Sequence, residues 1–145
     1  MKIAIATDHN GVNEKKELIN MINGVEFIDK SKINYDTDDY PDFAFEVAES
    51  VVNKDADLGV LMCGTGIGMS IAANKVKGIR CAHCSTKEQA HLAREHNNAN
   101  IIALSYKQDI IELKEMIEEF INTQSSIEER HIRRVNKINS YDNGR

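Results

Sequence analysis

Residues 59–70 read GVLMCGTGIGMS, an apolar run that closes on Cys63 and passes at once into Gly64, Thr65, Gly66, Ile67 and Gly68. The run has the length and composition of a buried strand, and the alternating glycines mark a turn into a helix. Outward from it the pattern repeats. Strand-type runs are predicted at Lys2–Thr7, Val25–Asp29, Asp57–Cys63, Ile79–Cys84 and Asn100–Leu104, with stretches of helical period between them. Pro41 suits the first turn of the second helix, and Ser85 with Glu88 has the spacing of a capping box. Gln108–Thr123 carries an apolar stripe of Ile110, Ile111, Leu113, Met116, Ile117, Phe120 and Ile121 on an otherwise charged helix. A last helix is expected over about residues 126–140, with a frayed YDNGR tail. Strands alternating with helices imply parallel pairing. The predicted fold is α/β, a Rossmann-like three-layer αβα sandwich around a five-stranded parallel sheet, with residues 1–145 as one domain.

Composition excludes several classes. A chain of 145 residues, 41% hydrophobic and 28% charged, matches a soluble globular domain with a single core. Its apolar runs are too short to span a membrane, and an acidic residue comes too early for a signal peptide, so the cytoplasm is the expected location. Three cysteines do not make a disulfide framework and are expected reduced. A net charge of −5 argues against broad nucleic-acid binding, although Arg130, Arg133, Arg134 and Lys137 form a local basic run.

In a doubly wound sheet, ligands bind beyond the carboxyl ends of the strands. Three polar clusters fall there: Asp8, His9 and Asn10; Cys63 to Gly68; and Tyr106 with Lys107. The glycine loop does not have dinucleotide spacing, lacks the Gly-Lys-Ser/Thr of a P-loop, and has Met69 where a phosphatase loop needs Arg. What remains is an anion cradle of backbone N–H groups beside a thiol, suited to a phosphate or to a developing oxyanion. Such donors stabilise a thiolate, whereas the plainer alternative is a glycine turn with an inert buried cysteine. His96 is either an acid near neutral pH or a helix-end cap. Arg130 and Arg134, four apart, share a helical face and can clamp one phosphate. Cys81 and Cys84 form a C-x-x-C inside an apolar strand, which reads as buried thiols, and His91 and His96 point to different helix faces.

Five ordered blocks then carry a resemblance: I-A-x-x-D-H at Ile5–His9, D-Y-P-D at Asp39–Asp42, C-G-T-G-I-G-M-S-I-A-A-N-K at Cys63–Lys75, R-E-H-N-N-A-N at Arg94–Asn100 and R-H-x-R-R-V at Arg130–Val135. Together they resemble the ribose-5-phosphate isomerase B family, which includes galactose and allose 6-phosphate isomerases. The resemblance implies interconversion of D-ribose 5-phosphate and D-ribulose 5-phosphate through an enediolate, with no metal or organic cofactor. It implies Cys63 as the base and His96 as the residue that opens the sugar ring, assisted by Asp8. Gly64, Thr65, Gly66, Ile67 and Gly68 would stabilise the enediolate, Thr65 orienting or relaying a proton. His9 and Asn97 would meet hydroxyls or phosphate. Arg130 and Arg134 would bind phosphate across the subunit interface of a homodimer or tetramer, the C-terminal helix reaching to a partner subunit. Two departures stand out: Lys107 occupies a position where the family has Arg, and Glu128-Glu129 replaces Gly-Gly. The alternatives are an isomerase of a six-carbon sugar phosphate and a noncatalytic sugar-phosphate-binding module.

Overall fold

The computed structural model describes all residues, 1–145. Its elements follow the order β1 (Lys2–Thr7), α1 (Val12–Met21), β2 (Glu26–Asp29), α2 (Tyr40–Val52), β3 (Leu58–Cys63), α3 (Ile67–Ala73), β4 (Cys81–His83), α4 (Lys87–Asn97), β5 (Ile101–Ser105), α5 (Ile110–Asn122) and α6 (Glu129–Asn143). The five strands form one parallel sheet in the order β2-β1-β3-β5-β4. The predicted α/β architecture is therefore observed, with helices covering both faces.

Side chains alternate across the sheet and divide the core in two. Ile3, Ile5, Val60, Met62, Ile102 and Leu104 face α1, α4 and α5, where they meet Leu18, Ala93, Leu113, Ile117 and Phe120. The other face carries smaller residues, Ala4, Ala6 and Ala103 with Leu61 and Cys63, under Ala44, Val47 and Ala48 of α2 and Met69 of α3. Small residues let α2 approach closely. Gly59 lies on this face, and a side chain there would begin 2.6 Å from a Val47 methyl carbon.

Several boundaries move for identifiable reasons. β4 shrinks to Cys81–His83 because side-chain amides take over at its start: Asn100 Oδ1 accepts from the Arg80 N–H and Asn74 Oδ1 from the Cys81 N–H. It is an edge strand rather than a fully buried one, with Cys81 partly exposed and Cys84 buried. The α4 cap lies one residue later than predicted. Thr86 accepts from the Gln89 N–H at 3.1 Å, while Gln89 Oε1 accepts from the Ser85 N–H at 2.7 Å. The tail is not frayed as expected: α6 continues to Asn143, and Asp142 accepts from the Gly78 N–H and from Arg145. α6 buries only His131 and Val135, and leans on α4. No helix is long and apolar enough to cross a membrane.

Candidate active site

The chain leaves β1 for β2 on one side and returns across β1 to β3, so the carboxyl ends of β1 and β3 flank a switch in strand order. β5 lies on the other side of β3, with Cys63 paired to Ser105. The three loops named from the sequence thus converge on one edge. Cys63 is buried at the end of β3, and the Gly66 N–H donates to its Sγ at 3.1 Å. The N–H groups of Gly64, Thr65 and Gly68 carry no hydrogen bond within the chain. The loop is therefore a set of donors beside a sulfur.

Glycine serves twice in this loop, through a left-handed backbone at Gly66 and a close approach at Gly68. Gly66 sits at φ +80, and a side chain there would begin 2.8 Å from His83 and 3.0 Å from the Leu104 backbone. A side chain at Gly68 would run into the Tyr40 ring, 2.6 Å away. The loop is also braced from outside. Ser105 Oγ donates to the Gly64 carbonyl at 2.8 Å, His83 Nε2 lies 2.8 Å from the Thr65 carbonyl, and Thr65 Oγ1 accepts from the Ile67 N–H. Ile67 itself is exposed at the start of α3.

On the β1 side, Asp8 accepts from the Asn10 N–H at 3.0 Å, a local turn that leaves the carboxylate partly exposed. His9 is fixed by Asp38, whose Oδ1 lies 2.7 Å from Nδ1 and also accepts from the His9 N–H. The hydrogen bond to Asp38 raises the His9 pKa above its ordinary value, against partial burial. Burial pushes the Asp38 carboxyl up, yet hydrogen bonds from Asn34, His9 and Tyr35 outweigh it and the net shift is downward. The segment that carries Asp38 hangs on Lys15, only 2% exposed. Lys15 Nζ donates to Asp29 Oδ1 at 2.9 Å and to the Ser31 carbonyl at 2.7 Å. Three acceptors, counting Ser31 Oγ, make burial of this ammonium tolerable.

His96 and Asn97 lie elsewhere. α4 starts beyond the carboxyl end of β4 and finishes just before the amino end of β5, so its last residues stand at the opposite edge from Cys63. Along β5 the two edges are separated by about 13 Å. There His96 stacks on His131 of α6, ring centroids 4.2 Å apart, with Nε2 3.3 Å from Glu95. Burial, first, and the charges of His96 and Arg130 push the His131 pKa down. Arg130 and Arg134 are exposed on the same helix, Arg130 bonded to Glu128 at 2.8 Å. Glu129 likewise takes Arg133, so the acidic pair tethers part of the basic run. One chain therefore brings together Asp8, His9, Cys63, the Gly64–Gly68 loop and Lys107, and separately His96, Asn97, Arg130 and Arg134.

No group of three His, Cys, Asp or Glu converges closely enough to hold a metal ion. Burial pushes the Cys81 thiol up to about 12 and the Cys84 thiol up to about 11, which disfavours the thiolate of both near neutral pH. Sequence reasoning left Tyr40, Asp38, His83 and Tyr106 without a role. Tyr40 sits in the D-Y-P-D block and Tyr106 follows the fifth strand, but contacts between separate loops have no sequence signature.

A family model described as Ribose/Galactose Isomerase matches residues 3–138. A Bacillus subtilis relative named a putative sugar phosphate isomerase is 46% identical over 146 residues, covering 98% of this chain and 97% of its own length. Ribose-5-phosphate isomerase B of Escherichia coli is 43% identical over 118 residues, 80% of this chain and 79% of that one. Among solved structures, Clostridium thermocellum ribose-5-phosphate isomerase B matches with a TM-score of 0.93 at 39% identity, over 99% of both chains. The Mycoplasma genitalium enzyme with bound ribulose-5-phosphate matches with a TM-score of 0.85 at 40% identity, over 98% of this chain and 96% of that one.

Proposed function

The chain belongs to the ribose/galactose isomerase family, and from that membership we propose that it interconverts D-ribose 5-phosphate and D-ribulose 5-phosphate through an enediolate. The observation that carries the mechanism is the Gly66 N–H aimed at Cys63 Sγ, amid unpartnered loop donors. Cys63 takes the proton from C2 and returns it to C1. The Gly64, Thr65 and Gly68 N–H groups hold the oxyanion that forms between these steps, and Lys107 adds a positive charge beside Gly64. Thr65 keeps its hydroxyl proton free to orient or relay, since its oxygen only accepts from Ile67. Asp8 and His9 lie on the same edge and serve the sugar hydroxyls.

Ring opening by His96 and phosphate binding by Asn97, Arg130 and Arg134 need groups from the far edge of a chain. We therefore assign them to a second copy, so that each site is built from two protomers of a homodimer, with pairing into a tetramer as a further step. Exposed apolar residues support this. Ile67 and Ile71, 52% and 58% exposed, flank the cysteine loop, and Ile132, Ile138 and Tyr141 line α6. The three free thiols fit the reducing cytoplasm proposed as its location.

Cys63→Ala is expected to lower ketose formation from ribose 5-phosphate by about 10²–10⁴-fold while leaving the fold and substrate binding intact. Near-normal turnover would remove Cys63 as the base. Turnover of allose 6-phosphate or galactose 6-phosphate above that of ribose 5-phosphate would move the assignment to a six-carbon sugar.

A further inference from the structure

The side chain of Tyr106 lies between the two loops that flank the switch point, near Gly11 of one and Gly64 of the other. Its backbone N–H donates to the Cys63 carbonyl at 3.2 Å, which ties the residue to the catalytic strand. A side chain at Gly11 would begin 2.7 Å from the ring, and one at Gly64 would begin 3.5 Å from the phenol oxygen. The ring therefore rests on the β1 loop through one glycine and reaches over the β3 loop through the other. The phenol has Asn10 as a side-chain hydrogen-bond neighbour and feels the charges of Asp8, Cys63 and Glu14, the first two of these being proposed parts of the site. Burial, chiefly, and the charge of Asp8 push the phenol pKa up, so the group keeps its proton as a carboxylate or a second thiolate would not. Thr7 Oγ1, crowded against the same Gly11, is buried with no partner in the chain.

We propose that Tyr106 is a catalytic residue of the isomerisation, its neutral phenol donating a hydrogen bond to the C1–C2 oxygens of the substrate as negative charge develops on them. The role rests on the isomerase reading of this site. It supplies from a side chain what the glycine loop supplies from backbone. A donor that stays protonated strengthens as the oxyanion forms and so acts on the transition state more than on bound substrate. Ring packing against Gly11 holds the hydroxyl in place without the entropy cost of a flexible side chain.

Tyr106→Phe keeps the ring and removes only the hydroxyl. The variant is expected to lose kcat on ribose 5-phosphate by about tenfold to a hundredfold with KM within about threefold of wild type. A four-carbon phosphorylated hydroxamate, which imitates the enediolate, is expected to lose affinity in the same proportion as kcat. Equal thermal melting of the two proteins locates the loss in the chemistry. If kcat and hydroxamate affinity are unchanged in Tyr106→Phe while Cys63→Ala is inactive, Tyr106 has no such role and the isomerase reading stands. If the wild-type protein turns over no sugar phosphate, both are overturned.

Discussion

At the scale of single residues, the site depends on a few positions where one atom decides the outcome. Gly66→Ala is expected to fail on two counts. Its positive φ costs a side-chain residue about 1–2 kcal/mol, and the added carbon meets His83 and the Leu104 backbone. The N–H would swing off Cys63 Sγ, so turnover should fall along with the melting temperature. The His9–Asp38 pair makes a pH prediction whose sign follows from its two shifts. His9, raised above 6.5, contributes stability that is present below 6.5 and lost as pH rises through its folded value. Asp38, lowered below 3.8, contributes stability that is present above 3.8 and lost as pH falls through its folded value. The pair is therefore strongest between these limits. An NMR titration should place the His9 midpoint above 6.5, and Asp38→Asn should bring it down. An unchanged midpoint in that variant would show the pair to be incidental. Cys63, Asp8 and His9 were all legible in the sequence because each follows an apolar run. Asp38 was not, because its partnership with His9 forms across a long loop anchored on buried Lys15.

At the scale of elements, the two faces of the sheet differ in how they answer to mutation. The face toward α5 is filled by large side chains, and Phe120→Ala should cost about 3–5 kcal/mol of unfolding free energy, read from the denaturant midpoint. The face toward α2 is closed by small ones. There Gly59→Val should be the damaging change, since it forces β3 and α2 apart at Val47. A Gly59→Val protein with unaltered stability would mean that α2 does not approach as closely as the structure has it. Each strand was readable from its apolar run, and α5 from its stripe. The ends were less so. Asn74, Asn100 and Thr86 set the limits of β4 and α4 by bonding backbone groups from a distance or from one residue along, which periodicity does not register.

At the scale of the molecule, the division of the proposed site residues between the two ends of the strands would, in the proposed homodimer, make activity a property of the assembly. Mixed with verified subunit exchange, inactive Cys63→Ala and Arg134→Ala proteins should regain part of the wild-type rate. Each hybrid dimer would hold one site with both defects and one with neither. Absence of any recovery would count against shared sites. Specific activity should also fall on dilution below the dimer dissociation constant. By itself the sequence determined the parallel α/β sheet, the cysteine and glycine loop at the end of β3, and the family, because apolar runs, glycine spacing and ordered motifs are written locally along the chain. Only the tertiary structure decided that His96 stands with α6 at the far edge from Cys63, and that Tyr106 lies between the Gly11 and Gly64 loops. Those facts depend on the strand order and on the downward run of α4, which bring together or separate residues regardless of their distance in the chain.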